Sequence, residues 1–155
     1  MKSAPLTENA KKPEASAQMA EKTVYVLDTF TLLAYFQDEP GTDRVMEVLQ
    51  SAQKEKSRVC LCIINLGELL YIVERRRGLT EAQAVLAAIQ QTPIEILPAE
   101  EQTVLAAAHI KANYAVSYAD AFTVACAGQL DGVILTGDRE FESVESVAKV
   151  EWLAT

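Results

Sequence analysis

The sequence predicts an α/β fold with a parallel central sheet, and three observations lead there. Four short apolar runs, at 23–28, 58–63, 94–97 and 132–135, have strand length. Segments with helical periodicity separate each run from the next, as parallel crossovers require. The chain has 155 residues, half of them hydrophobic and 23% charged, which suits one globular domain with a sizeable core.

The elements follow in order. Residues 23–28 are apolar and β-branched and form the first strand. Residues 29–37 are helical and stop at Asp38-Glu39-Pro40-Gly41. Thr42 is placed to cap a helix reaching about Lys56, with Val45, Val48 and Leu49 on one stripe. After the strand at 58–63, a helix runs from Asn65 to Arg77 and ends at Gly78. Thr80 caps another, to about Gln91. The strand at 94–97 lies between Pro93 and Pro98, and helices follow over 100–112 and 118–130. The strand at 132–135 comes next, and 148–153 reads as an edge strand. Right-handed crossovers would join these strands.

Residues 1–22, rich in Ala, Lys, Glu, Ser and Pro, read as a flexible tail, so the folded domain is expected over 23–155. That tail lacks the apolar middle of a secretory signal, and no apolar run spans a bilayer, so a cytoplasmic location without membrane contact is expected. Cys60, Cys62 and Cys126 lie in apolar runs; their odd number argues against a disulfide framework, and core packing is their expected role. The net charge is −8; the tail carries four Lys and three Glu, a net of +1, which leaves −9 on the remainder. That balance opposes binding of a nucleic acid unless metal ions or a local basic patch intervene.

Four acids stand in apolar surroundings: Asp28 after TVYVL, Glu68 in IINLGELLY, Asp120 in SYADAF and Asp138 after VILTG. Among them only Asp138 has a basic neighbour, Arg139. Taken singly, each is explained by capping. Asp28 and Asp138 precede turns of helix, and Asn65-x-x-Glu68 and Ser117-x-x-Asp120 match capping boxes. Taken together they point elsewhere. In a parallel α/β sheet, strand C-termini and the following helix N-termini share one edge, where such folds bind ligands. Two carboxylates about 5 Å apart repel by roughly 3 kcal/mol at an effective dielectric near 20. Capping does not require that convergence, whereas a Mg²⁺ or Mn²⁺ site does. The fitting chemistry is phosphodiester hydrolysis. Thr29, Ser117 and Thr136 stand beside the acids, where they can orient ligands or waters or simply cap and brace turns.

Other chemistries find little footing. There is no Gly-rich phosphate loop, no Ser elbow and no Cys–His pairing. His109 is the only histidine, which excludes a two-histidine ribonuclease. Asp28-Thr29-Phe30 lacks the second acid of a haloacid-dehalogenase phosphatase. Arg75-Arg76-Arg77 is the one dense basic cluster; it suits a helix C-terminus, or alternatively a phosphate or an acidic partner.

In VLDTFTLLAYFQDEPG (26–41), INLGELLYIVERRRG (64–78), AAAHIKANYAVSYADAFTVACA (106–127) and LTGDREF (135–141), the chain resembles a PIN domain, and within that family a VapC-type toxin ribonuclease. The resemblance covers nearly all of 23–155. It implies a three-layer α/β/α sandwich with a parallel sheet of four to five strands. It also implies Mg²⁺- or Mn²⁺-dependent RNA cleavage, a homodimer, and a cognate antitoxin that inserts into the active-site groove. It makes Asp28, Glu68, Asp120 and Asp138 the metal-binding catalytic acids, with Thr136 auxiliary. One position departs: the family commonly has a small hydroxyl residue two places after the first acid, and Phe30 stands here. Two other roles compete with the toxin: an RNA-processing nuclease, which gene neighbourhood would distinguish, and a degenerate PIN domain binding RNA or protein without cutting. Retention of all four acids opposes the latter.

Overall fold

The computed structural model describes residues 22–154; the expected tail, apart from Lys22, lies outside them. In chain order the elements are β1 (Thr23–Leu27), α1 (Thr29–Phe36), α2 (Thr42–Gln53), β2 (Ser57–Cys62), α3 (Ile63–Arg77), α4 (Leu79–Gln90), β3 (Ile94–Leu97), α5 (Glu101–Asn113), α6 (Tyr118–Leu130), β4 (Val133–Thr136), a 3₁₀ turn (Arg139–Val144) and β5 (Lys149–Trp152).

The sheet order is β3-β2-β1-β4-β5, and every pairing is parallel. The chain steps outward from β1 to β2 and β3, then returns to the other side of β1. That reversal opens a crevice between the C-terminal ends of β1 and β4, the switch point where open α/β sheets take ligands. Asp28 directly follows β1, and Asp138 lies two residues beyond β4.

Alternation along the strands feeds two cores. Leu27 is in register with Leu61 and Leu135, and all three face Leu32, Val45, Val48, Leu69 and Val85 of α1–α4. Val26 and Ile134 face the opposite way, onto Ala107 of α5, Phe122 of α6 and Phe141 of the 3₁₀ turn. The result is the expected three-layer sandwich with five strands. The cysteines are free and buried, as core packing requires. No described helix is long and apolar enough to cross a membrane.

Three expected caps do not form, and backbone geometry explains why. Gly41, with φ +97°, is the N-cap of α2, which leaves Thr42 inside the first turn with its hydroxyl donated to Glu39 O at 2.7 Å. Gly78, with φ +91°, both closes α3 and opens α4, so Thr80 caps nothing. The α3 helix begins at Ile63 with Cys62 as its N-cap, two residues before the expected start. Asn65 is therefore inside the helix, and the Asn65–Glu68 capping box is absent. Likewise α2 ends at Gln53, short of Lys56, before Glu55 turns to φ +57°.

Two glycines make a paired test. At Gly41 a Cβ would lie 3.1 Å from Ala154 O in a left-handed backbone, whereas Gly67, within α3, has nothing within 4 Å. Gly41→Ala is expected to destabilise by about 1–3 kcal/mol, and Gly67→Ala to stabilise by about 0.5–1 kcal/mol. Urea denaturation reads both, and equal signs would contradict this account.

Candidate metal centre

Asp28 is the N-cap of α1 and has no exposed surface. Its Oδ1 accepts from Thr31 N at 2.9 Å, and its Oδ2 accepts from Thr136 Oγ1 at 2.7 Å. Thr136 Oγ1 in turn accepts from Asp138 N at 3.0 Å, so one hydroxyl fixes both acids. Asp138 caps the 3₁₀ turn through Glu140 N at 3.0 Å. Asp120 sits in the first turn of α6, buried, with its backbone N–H donated to the Ser117 side chain at 3.1 Å.

These contacts bring three of the four expected acids together. Asp28, Asp120 and Asp138 each offer a carboxylate oxygen, and the three oxygens lie within 4.8 Å of one another. Glu68 stands slightly apart. It lines the same cavity, of about 370 Å³, with Thr29, Phe30, Tyr71, Ser117, Asp120, Asp138 and Glu140. Asp28, fully buried, does not line this cavity but keeps a carboxylate oxygen within 4.8 Å of those of Asp120 and Asp138. Concavities of similar volume occur beside Lys149 and beside Trp152, but neither gathers unpaired acids from separate elements. Among the described residues, no ion pair involves Asp28, Glu68, Asp120 or Asp138; Arg139 turns instead to Glu142.

The auxiliary residues act mainly by bracing. Thr136 bridges Asp28 and Asp138, and Ser117 caps the helix that carries Asp120. Thr29 Oγ1 donates to Asn65 O at 3.3 Å, and Asn65 Nδ2 donates to Ala119 O at 3.2 Å. Buried Asn65 thus ties α1 to α3 and α3 to the first turn of α6, a role its sequence position as an apparent cap concealed. Glu140 also escaped the sequence reading. Its carboxylate accepts from Ser117 N at 3.3 Å and adjoins Asp120. The Asp138-x-Glu140 spacing at a tight turn was the available signal. Phe30 is 39% exposed on the cavity wall and lies against Gly137, where a Cβ would come within 2.8 Å of the ring. The large ring and the missing side chain are a matched pair.

The electrostatics follow from burial without cations. Desolvation pushes the Asp28 carboxyl up to about 6, against hydrogen bonds from Thr31 and Thr136 that favour its charged form. Burial also raises Asp120, and the neighbouring Glu140 and Asp28 carboxyls add to the rise. Glu68 is raised by partial burial and by the charges of Glu140 and Asp138, with the Thr29 hydroxyl opposing. Closely set oxygen donors without protein cations fit a hard divalent ion such as Mg²⁺ or Mn²⁺.

Comparison with known proteins agrees with the fold. The PIN domain profile matches residues 25–147, and the chain belongs to that family. No curated protein matches the sequence. Among solved structures, VapBC2 from Rickettsia felis, bound to a DNA fragment from its promoter, is similar at 15% identity. The match covers 85% of this chain and 100% of that one, with a TM-score of 0.68. DNA-bound VapBC from Salmonella typhimurium is similar at 22% identity, over 83% and 97% of the two chains, with a TM-score of 0.65. FitAcB from Neisseria gonorrhoeae is similar at 21% identity, over 81% and 95%, with a TM-score of 0.59. At these identities the likeness is one of fold.

A pH titration tests the buried charge. Asp28 moves from 3.8 to about 6 on folding, so between those values the folded chain holds more protons than the unfolded one. Stability from this group is therefore complete below about pH 4 and is lost as pH rises through 6, by about 3 kcal/mol. In chelator, the melting temperature of Asp28→Asn minus that of the parent is expected to grow from pH 4 to pH 7. A gap that is constant or shrinks would contradict it.

Proposed function

We propose that this chain is a metal-dependent endoribonuclease that hydrolyses RNA phosphodiester bonds and acts as the toxin of a toxin–antitoxin pair. The observation that carries the reading is the trio of carboxylate oxygens, unpaired with any cation, at the switch point of a PIN fold. Asp28, Asp120 and Asp138 would hold Mg²⁺ or Mn²⁺, with Glu68 lining the same cavity. A divalent cation bound there supplies an acidified water and stabilises charge developing on phosphodiester oxygens.

The chain's own residues set the conditions for that chemistry. Thr136 holds Asp28 and Asp138 in fixed relation, and Thr31 N fixes the second Asp28 oxygen. Ser117 and Asn65 fix the start of α6, and with it Asp120. Glu68 and Glu140, on the cavity rim, are the groups available to accept or return a proton. Similarity to toxin–antitoxin complexes supports a cognate antitoxin as partner, and the family resemblance supports a cytoplasmic homodimer.

Purified protein incubated with single-stranded or looped RNA, where nucleotides are unstacked and reachable, tests the reading. Cleavage is expected with Mg²⁺ or Mn²⁺, to vanish in EDTA, and to fall about a hundredfold or more in Asp28→Asn. Cleavage that persists in EDTA or survives that substitution would overturn it. Thr136→Val keeps the shape but removes the bridging hydroxyl, and should lower the rate about tenfold while shifting metal dependence to higher concentration. An unchanged metal dependence would leave Thr136 a purely structural residue.

A further inference from the structure

The described part of the chain exposes four aromatic side chains, Phe30, Tyr71, Tyr118 and Trp152, and two of them, Phe30 and Tyr71, line the acid cavity; Tyr118 follows the lining residue Ser117 in sequence. Three of the four lie close in sequence to one of the acids, Phe30 to Asp28, Tyr71 to Glu68 and Tyr118 to Asp120. Isolated exposed aromatics are ordinary on protein surfaces, but Phe30 and Tyr71 share one cavity with the acids. Tyr71 is the most exposed of them, at 50%, and it lines the cavity itself. It is three residues beyond Glu68 on α3, and Arg75 is four further on, so the three side chains form one stripe along the helix. The Arg75 guanidinium stands over the Tyr71 ring, 5.1 Å from its centroid.

The three arginines at the end of α3 are thereby distinguished. Arg77 approaches Glu81 at 3.8 Å on α4. Arg76 and Arg77 both line a separate groove with Phe36 and Val85. Among the three, Arg75 is the one stacked on an aromatic ring at the acid cavity. Complementing a helix C-terminus asks for a cation there, but it does not ask for a half-exposed tyrosine beneath it.

We infer that Tyr71 and Arg75 form a nucleotide-binding subsite, with the Tyr71 ring stacking on an unpaired RNA base and Arg75 contacting a phosphate beside it. The inference rests on the ribonuclease reading and adds where the substrate is gripped. Charge favours this form of grip. The whole chain carries −8, so a polyanion gains little from the general field of the protein. Stacking on an aromatic face is uncharged and sequence-tolerant, and therefore gives affinity that the acidic surface does not oppose. A guanidinium next to the ring then serves one phosphate without making the surface basic. The stripe leads from Arg75 through Tyr71 to Glu68, so a strand held there is directed into the cavity.

Fluorescence anisotropy with a short labelled single-stranded oligoribonucleotide in Ca²⁺, checked afterwards for intactness, measures the subsite apart from turnover. A second probe of equal length carries abasic sugars. Tyr71→Ala is expected to weaken the base-bearing probe about tenfold and to leave the abasic probe unchanged. Tyr71→Phe should bind as the parent does. Arg75→Gln should weaken both probes and reduce the salt slope by about one. In cleavage assays, Tyr71→Ala should raise KM with kcat little changed. Parent protein that binds both probes equally, or Tyr71→Phe that loses as much as Tyr71→Ala, overturns the subsite. Unchanged RNA binding with weakened self-association in Tyr71→Ala also overturns it and assigns the face to a second copy of the chain. If the parent cleaves RNA while Tyr71→Ala keeps its KM, the subsite alone fails. If the parent neither binds nor cleaves RNA, the ribonuclease reading fails with it.

Discussion

A carboxylate with no exposed surface and no cation beside it governs this structure. Asp28 ends the central strand, and its burial alone costs the charged form several kcal/mol. Two hydrogen bonds and the N-terminus of α1 offset part of that cost. Asp120 and Asp138 then bring their own carboxylates within 4.8 Å, which adds repulsion and no relief. A fold assembled around capping alone has no reason to accept that arrangement. It makes sense as one half of a site whose other half is a divalent cation.

The bracing around Asp28 shows how the fold holds like charges in place. Thr136 ends β4 and reaches Asp28 across the switch point, while Thr31 Oγ1 donates to Leu135 O at 2.7 Å and binds α1 to the same strand. Thr29, Asn65 and Ala119 link α1, α3 and α6 over the sheet edge. These bonds, most of them buried, join segments far apart in sequence, so several elements together fix the acids. Such bracing is what a metal site needs from its supporting groups.

Much of this was legible in the residues, for identifiable reasons. The strand at 94–97 and the helix at 118–130 match the expected bounds, because prolines and the Ser117 cap mark them locally. The convergence of three of the four acids was also legible, since parallel topology forces strand ends and helix starts onto one edge. What escaped depended on distant partners or backbone angle. Asn65 resembles a cap until α3 is seen to begin at Ile63, where apolar Ile63 and Ile64 extend the helix back to β2. Gly41 and Gly78 displace the threonines as caps because they adopt positive φ, which spacing does not reveal. Glu140 joins the acids only because the 3₁₀ turn folds it back toward Ser117. Phe30 departs from the family pattern, and its fit over Gly137 is visible only in three dimensions.

Calorimetric titration of Mn²⁺, run near pH 6.5 in two buffers of different ionisation enthalpy, tests the central claim most directly. Burial raises Asp28 to about 6 and Asp120 to about 8, so part of the cluster is protonated at that pH and must lose protons to bind a cation. The account expects saturable binding in the parent with net proton release, a release that shrinks near pH 8.5, and loss of binding in Asp120→Asn. Absence of saturable binding, or binding of equal strength in Asp120→Asn, would contradict it.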